Sequence, residues 1–137
     1  MGTDVRPELS GRNEYWIGRH RYYELKHFCL QYPLWKRALT DLDGTDKRPA
    51  EVAIFTNAHG DPTAAYAMAR AYFSGRTDMV EKAAAEAEPE LSCYILRAVT
   101  EGLSYDHLRA GSNIPCCKEV YYRAYRRFFW LLHRARK

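Results

Sequence analysis

GLSYDHLRAGSNIPCCKEVYYRAYRRFFWLLHRARK, residues 102–137, contains the sequence pattern that best predicts the fold of this chain. Ser104 can cap a short helix that has Asp106 in its opening turn. The sequence Gly111-Ser112-Asn113 predicts a break, and Pro115 suits the first turn of a second, longer helix. Two closely linked helices with basic residues on the second outline a helix-turn-helix over residues 103–137.

The long second helix has two different faces when its residues are placed at about 100° steps from Cys116. The face expected to pack on the domain comprises Cys117, Val120, Tyr121, Ala124, Phe128, Leu131, Leu132 and Ala135. The opposite face comprises Lys118, Glu119, Tyr122, Arg123, Arg126 and His133, with Arg127 at its margin. This polar face suits the major groove of DNA, with arginines on phosphates and the first turn near base edges. A solvated structural helix is the alternative, because terminal basic residues also complement the helix dipole.

Three further positions of this stretch are candidate contacts. Asn113, in the break between the helices, is a candidate DNA contact. Phe129 and Trp130 interrupt the polar face, so either a second layer of protein covers them or they bind a partner subunit.

Charge is unevenly distributed along the chain. Residues 116–137 contain seven Lys/Arg and one acid, a net +6, whereas the whole chain carries +4 and residues 1–115 therefore carry −2. A basic end on a slightly acidic body can orient the molecule toward a polyanion.

The composition indicates one folded helical domain. The 137 residues, 47% hydrophobic and 28% charged, suit a single domain over 1–137 with a flexible arm at 1–11. The 4 Cys lack a metal-binding spacing, and no apolar run is long enough for a membrane span. We therefore expect reduced thiols, no membrane association and a cytoplasmic location.

The rest of the chain predicts several helices with short joints. The first is expected from Asn13 to about Gln31 and the second from Pro33. A loop at 43–52 and an ambiguous segment at 50–57 follow, and then a helix from Asp61 to a C-cap at Gly75. Thr77 or Asp78 can cap the next helix, Pro89 restarts it, and Gly102 ends it. The predicted fold class is all-α, a compact multi-helix domain that ends in a helix-turn-helix with a long basic C-terminal helix.

Three segments resemble small late-gene transcriptional regulators of Firmicute phages and prophages, the ArpU/RinA-like group. They are YYELKHFCLQYPLWKRAL (22–39), EKAAAEAEPELSCYILRAVTEGLSYDHL (81–108) and IPCCKEVYYRAYRRFFWLL (114–132). The resemblance implies a helix-turn-helix of the sigma-factor region-4 type in a DNA-binding protein that switches on a late operon in the bacterial host cell. By position it puts Tyr105 and His107 on the supporting helix as candidate DNA contacts, and turns Lys118, Tyr122, Arg123, Arg126 and Arg127 toward DNA.

The expected partner is double-stranded DNA, bound by a homodimer, with host RNA polymerase or another host protein as a further candidate. Two rival functions stay open: a phage-encoded helical inhibitor of a host protein or defence complex (anti-CRISPR-like), and a small terminase-type DNA-packaging subunit. No phosphate loop, nucleophile–base pair or metal-ligand cluster is evident, so we expect no enzyme activity, no cofactor and no metal.

Overall fold

The computed structural model describes residues 14–44 and 62–136. The described residues form helices and no strand, which confirms the predicted all-α class. The helices are α1 (Arg19–Leu30), α2 (Tyr32–Gly44), α3 (Pro62–Ala87), α4 (Ser92–Glu101), α5 (Tyr105–Ser112) and α6 (Lys118–Ala135), with a 3-10 turn at Pro89–Leu91. The expected arm at 1–11, the Asn13 cap and the ambiguous segment at 50–57 lie outside the described residues.

The backbone forms two compact units. One combines the described residues before Gln31 with those from Met79 onward, and the other is Gln31–Asp78. The sequence predicted one domain over 1–137, and that organisation stays a prediction.

The first unit is built on α1, α4 and α6. Helix α1 packs on α4 and α6, and α4 also packs on α5 and α6. Their shared core is rich in tyrosine: Tyr22 of α1 and Tyr121 of α6 are almost wholly buried, and the ring of Tyr105 of α5 lies 5.5 Å from that of Tyr121. Buried Tyr needs partners for its hydroxyl as well as contacts for its ring. The Tyr22 and Tyr125 hydroxyls meet this need by bonding to each other at 2.8 Å.

The second unit contains α2 and the first part of α3. Buried residues recur at helical spacing on both helices, at Trp35, Ala38 and Leu42 and at Ala65, Ala69 and Phe73. On the surface, Arg70 of α3 forms an ion pair with Asp43 near the end of α2. Exposed pairs of this kind contribute little to stability, so apolar burial holds these helices.

Two expected helix boundaries are wrong. Helix α1 begins at Arg19 and not at residue 14. In the segment before it, the Tyr15 ring packs at a tilt on Trp130, with the ring centres 5.6 Å apart, and Ile17 is buried. Helix α3 runs through Gly75, which was expected to end it. Thr77 does not cap a new helix either, since its hydroxyl donates to the Ser74 carbonyl at 3.0 Å. A single Gly costs a helix only about 1 kcal/mol, and the flanking Ala-rich sequence tolerates it.

Two local predictions are confirmed. Gly102 ends α4 in the left-handed conformation with φ 73°, and its N–H donates to the Ala98 carbonyl. Ser104 caps α5, accepting a hydrogen bond from the His107 N–H at 3.2 Å. Within the described ranges, no helix combines the length and apolarity needed to cross a bilayer.

Candidate nucleic-acid interface

A short helix, a five-residue linker and a long helix end the chain. Helix α5 stops at Ser112, and Asn113 follows in the left-handed conformation with φ 53°. The linker buries Ile114, and α6 starts at Lys118 with Cys117 as its N-cap. The predicted break at 111–113 is met only at Asn113, because Gly111 and Ser112 still belong to α5. Pro115 lies in the linker before α6 and does not occupy the first turn of that helix.

Tyr105 attaches the short helix to the linker and to α6. Its ring lies 5.5 Å from the ring of Tyr121, and its hydroxyl donates to the Cys116 carbonyl at 2.6 Å. Arg109, one turn further along α5, donates to the same hydroxyl at 3.3 Å. The expectation that Tyr105 contacts DNA is wrong in this structure, because the residue is only 4% exposed and its hydroxyl is already engaged. Its position favours a structural role in holding α5 against α6.

Helix α6 is turned by roughly 60° from its expected orientation, at 100° per residue. Its buried residues are Tyr121, Tyr122, Ala124, Tyr125, Phe128, Phe129 and Leu132. Val120, expected in the core, is 50% exposed. The placement of residues at 100° steps puts Tyr122 on the polar face, whereas in the structure its ring packs against those of Tyr121 and Tyr125.

Two candidate contacts are consequently corrected. Tyr122 is buried and cannot offer its ring to a groove in this structure. Phe129 is fully buried, 5.1 Å from the ring of Tyr22 and 5.0 Å from that of Tyr125. Of the two explanations for Phe129, cover by a second layer of protein applies, and contact with a partner subunit does not.

The outward side of α6 carries a row of arginines, Arg123, Arg127 and Arg134. All three are exposed, and their spacing of four and seven residues places them on one stripe of the helix. We call these three residues the arginine row. The sequence prediction places Arg127 at the margin of the polar face and leaves Arg134 out, although the spacing of the three arginines is visible in the sequence.

Trp130 lies on the same stripe, between Arg127 and Arg134. The Arg134 guanidinium lies over the Trp130 ring at 4.8 Å, and the Tyr15 ring also packs on it, with the ring centres 5.6 Å apart. Stacking of this kind restricts the orientation of a guanidinium without neutralising it. Trp130 is half-buried, and its expected role in partner binding stays a prediction.

The first turn of α6 is open to solvent. Lys118 and Glu119 are both exposed, and the Cys117 side chain makes no capping hydrogen bond. Helix α6 holds five Lys/Arg and one acid. Arg123 lies 3.9 Å from Glu14, and both side chains are mostly exposed, so water screens this ion pair strongly. Among residues 14–44 and 62–136, little acidic charge therefore compensates the cationic outward side.

Arg126 differs from the arginine row. It is half-buried, and its Nε has no hydrogen-bond partner in the part of the chain that the structure describes. Burial, and then the nearby charge of Arg123, lowers the pKa of the Arg126 guanidinium. An arginine stays protonated despite such a shift, so Arg126 adds positive charge at the edge of the arginine row.

The other candidate contacts lie beside the row or on α5. His107 and Asn113 have exposed side chains, so their role at DNA stays a prediction. His133, placed on the polar face by the sequence, is tied to α1, because Arg21 Nε donates to its Nδ1 at 2.9 Å. Burial and the Arg21 charge lower the pKa of His133.

Among residues 14–44 and 62–136, no group of three or more His, Cys, Asp or Glu side chains could hold a metal ion. The chain matches no family model, no curated protein and no solved structure. A function must therefore be inferred from the sequence and geometry of the chain itself.

Proposed function

We propose that this protein is a sequence-specific DNA-binding transcriptional regulator that uses α6 as its recognition helix. The observation that carries the proposal is the arginine row on the outward side of a helix whose opposite side is buried. A helix of 18 residues is about 27 Å long, and the major groove, about 12 Å wide, admits such a helix.

The parts of α6 suit different contacts. Lys118 and Glu119, in the exposed first turn, are suited to reading base edges, since Lys recognises guanine and Glu accepts from cytosine. The arginine row is suited to phosphates, where binding releases counterions and gives salt-dependent affinity. Tyr105 would act indirectly, by fixing α5 and the linker against α6.

The resemblance to the ArpU/RinA-like group extends this proposal to late genes of a phage or prophage. In that setting the protein would bind a duplex site as a homodimer, next to host RNA polymerase or another host protein.

The salt dependence of binding to a duplex tests the proposed role of the arginine row. We expect Arg127→Gln to lower the slope of log affinity against log salt by about 1, as the loss of one phosphate contact predicts. Arg37→Gln is the matched control, because it removes the same charge from an exposed position on α2. Fluorescence anisotropy at four salt concentrations would give both slopes. Equal slopes for the two variants would remove the arginine row from the interface.

Duplex binding, co-purification and sedimentation together distinguish the rival functions. A helical inhibitor of a host protein would bind duplex DNA only weakly and without sequence preference, and would co-purify with its target. A terminase-type packaging subunit would sediment as a large oligomer. Either result would overturn the proposed regulator.

A further inference from the structure

Val120 differs from the other large apolar residues of α6 in its exposure. The side chain is 50% exposed, whereas every other large apolar side chain of this helix, which the structure describes over its full length, is buried or half-buried. Part of the Val120 side chain therefore stays available for contact with another molecule.

The position of Val120 puts it in line with the arginine row. Arg123 and Arg127 follow it by three and seven residues, so the three side chains lie on one stripe of the helix. Val120 is also in the first turn of α6, together with the exposed Lys118 and Glu119. At 1.5 Å per residue it lies about 10 Å from Arg127 along the helix axis. Val120 thus lies at the end of α6 that the proposed function assigns to base edges.

The chemistry of valine restricts what it could recognise there. In the major groove, thymine presents a 5-methyl group beside its O4 acceptor, whereas the other bases are distinguished by hydrogen-bonding groups. A valine side chain neither donates nor accepts a hydrogen bond, so the methyl group is the feature it suits. Its branched Cβ also favours one rotamer in a helix, so little side-chain entropy is lost when it packs on a base.

We infer that Val120 recognises thymine, by packing against the 5-methyl group of one thymine in the duplex site. The inference rests on the proposed function, since it requires α6 to enter the major groove. It adds an A·T pair to a site in which Lys118 is suited to guanine and Glu119 to cytosine. An apolar contact releases no counterions, so this preference is independent of salt, unlike the contacts of the arginine row.

The test compares thymine with deoxyuridine, which lacks the 5-methyl group and keeps every hydrogen-bonding group. The probe is the duplex that the wild-type chain enriches from a random pool, with each thymine replaced in turn by deoxyuridine. We expect one replacement to weaken binding about fourfold, which is the roughly 0.8 kcal/mol of one buried methyl group converted at 1.4 kcal/mol per tenfold. The ratio of the two affinities should be equal at two salt concentrations, because no phosphate contact changes.

Variants assign the effect to Val120. Val120→Ala should bind the thymine and deoxyuridine duplexes with affinities within about twofold of each other, since most of the apolar contact is gone. The variant should fold, because alanine favours a helix at an exposed position. Met68→Ala is the control, because it shortens a side chain that is also apolar and 59% exposed, but on α3. It should keep the wild-type ratio.

The outcomes separate this inference from the proposed function. Failure to enrich any duplex would overturn both. The inference alone is overturned if no deoxyuridine replacement weakens binding, if the ratio persists in Val120→Ala, or if Met68→Ala abolishes the ratio equally. A change in the sedimentation of the free protein in Val120→Ala, with the ratio unchanged, would also overturn it and would assign the side chain to a contact between subunits.

Discussion

The hydrogen bond between the Tyr22 and Tyr125 hydroxyls offers the sharpest test of the tyrosine-rich core. The two oxygens lie 2.8 Å apart, and both residues are buried, with Tyr22 fully so. Tyr125→Phe would remove one partner and leave the other hydroxyl in the core. Phe fills nearly the same space, so ring packing with Phe129 at 5.0 Å would be kept.

The magnitude follows from the loss of the hydrogen bond and the burial of the remaining hydroxyl. A buried hydrogen bond contributes about 0.5–1.5 kcal/mol net, and an unsatisfied buried group costs about 1–3 kcal/mol. Tyr22 and Tyr125 also make other interactions, so the low end applies. We expect Tyr125→Phe to lower the free energy of unfolding by about 1–2 kcal/mol. The double variant Tyr22→Phe/Tyr125→Phe should lose about 1 kcal/mol less than the sum of the single variants.

Urea unfolding followed by circular dichroism measures these differences, and Tyr121→Phe is the internal control. It deletes the same atom from the same helix, but from a hydroxyl that has no hydrogen-bond partner among the described residues. We expect it to be neutral or to stabilise by up to about 1 kcal/mol. Equal destabilisation by Tyr121→Phe and Tyr125→Phe, or strict additivity in the double variant, would refute this account of the core.

Three further predictions concern the thiols, the glycines and pH. Burial raises the pKa of Cys29, so in the native protein a thiol reagent should modify exposed Cys93 rapidly and Cys29 only after unfolding. Gly75→Ala should stabilise the protein by about 0.5–1 kcal/mol, because no heavy atom lies within 4 Å of a Cβ added there. Gly102→Ala should destabilise it by about 1 kcal/mol, because the φ of 73° disfavours a side chain. Thermal unfolding of the two variants compares these effects. In the folded state the pKa of His133 lies below its ordinary value of 6.5. The unfolded chain therefore binds the proton more readily, and the free energy of unfolding should fall as the pH drops below about 6.5. Urea unfolding at pH 7.5 and 5.5 should show a smaller difference for His133→Gln than for the wild type.

Features set by local chemistry could be predicted from the sequence. Ser104 caps α5 and Gly102 ends α4 as expected, because a side-chain acceptor at an N-cap and a left-handed C-terminal residue act within a few residues of chain. Exposure of Lys118, Arg123 and Arg127 was also predicted, since a cluster of Lys and Arg is rarely buried.

Features set by tertiary contacts could not be predicted in this way. Tyrosine is both apolar and polar, and only its neighbours in space decide which side of a helix it occupies. Tyr122 was assigned to the polar face, but rings from α5 and α6 surround it. The segment before Arg19 is a second example, since its Tyr15 packs on Trp130, more than a hundred residues away in the chain.

Selection of bound fragments from duplex DNA at two salt concentrations, followed by sequencing, tests the central claim most directly. The account predicts that one motif is enriched at both concentrations and that Lys118→Gln changes the preference at one base pair, by about 1–3 kcal/mol. It also predicts that replacing Arg123 and Arg127 together lowers recovery of all fragments. Binding without a motif that vanishes at the higher salt concentration would contradict the account, and α6 would then be a basic surface without a reading function.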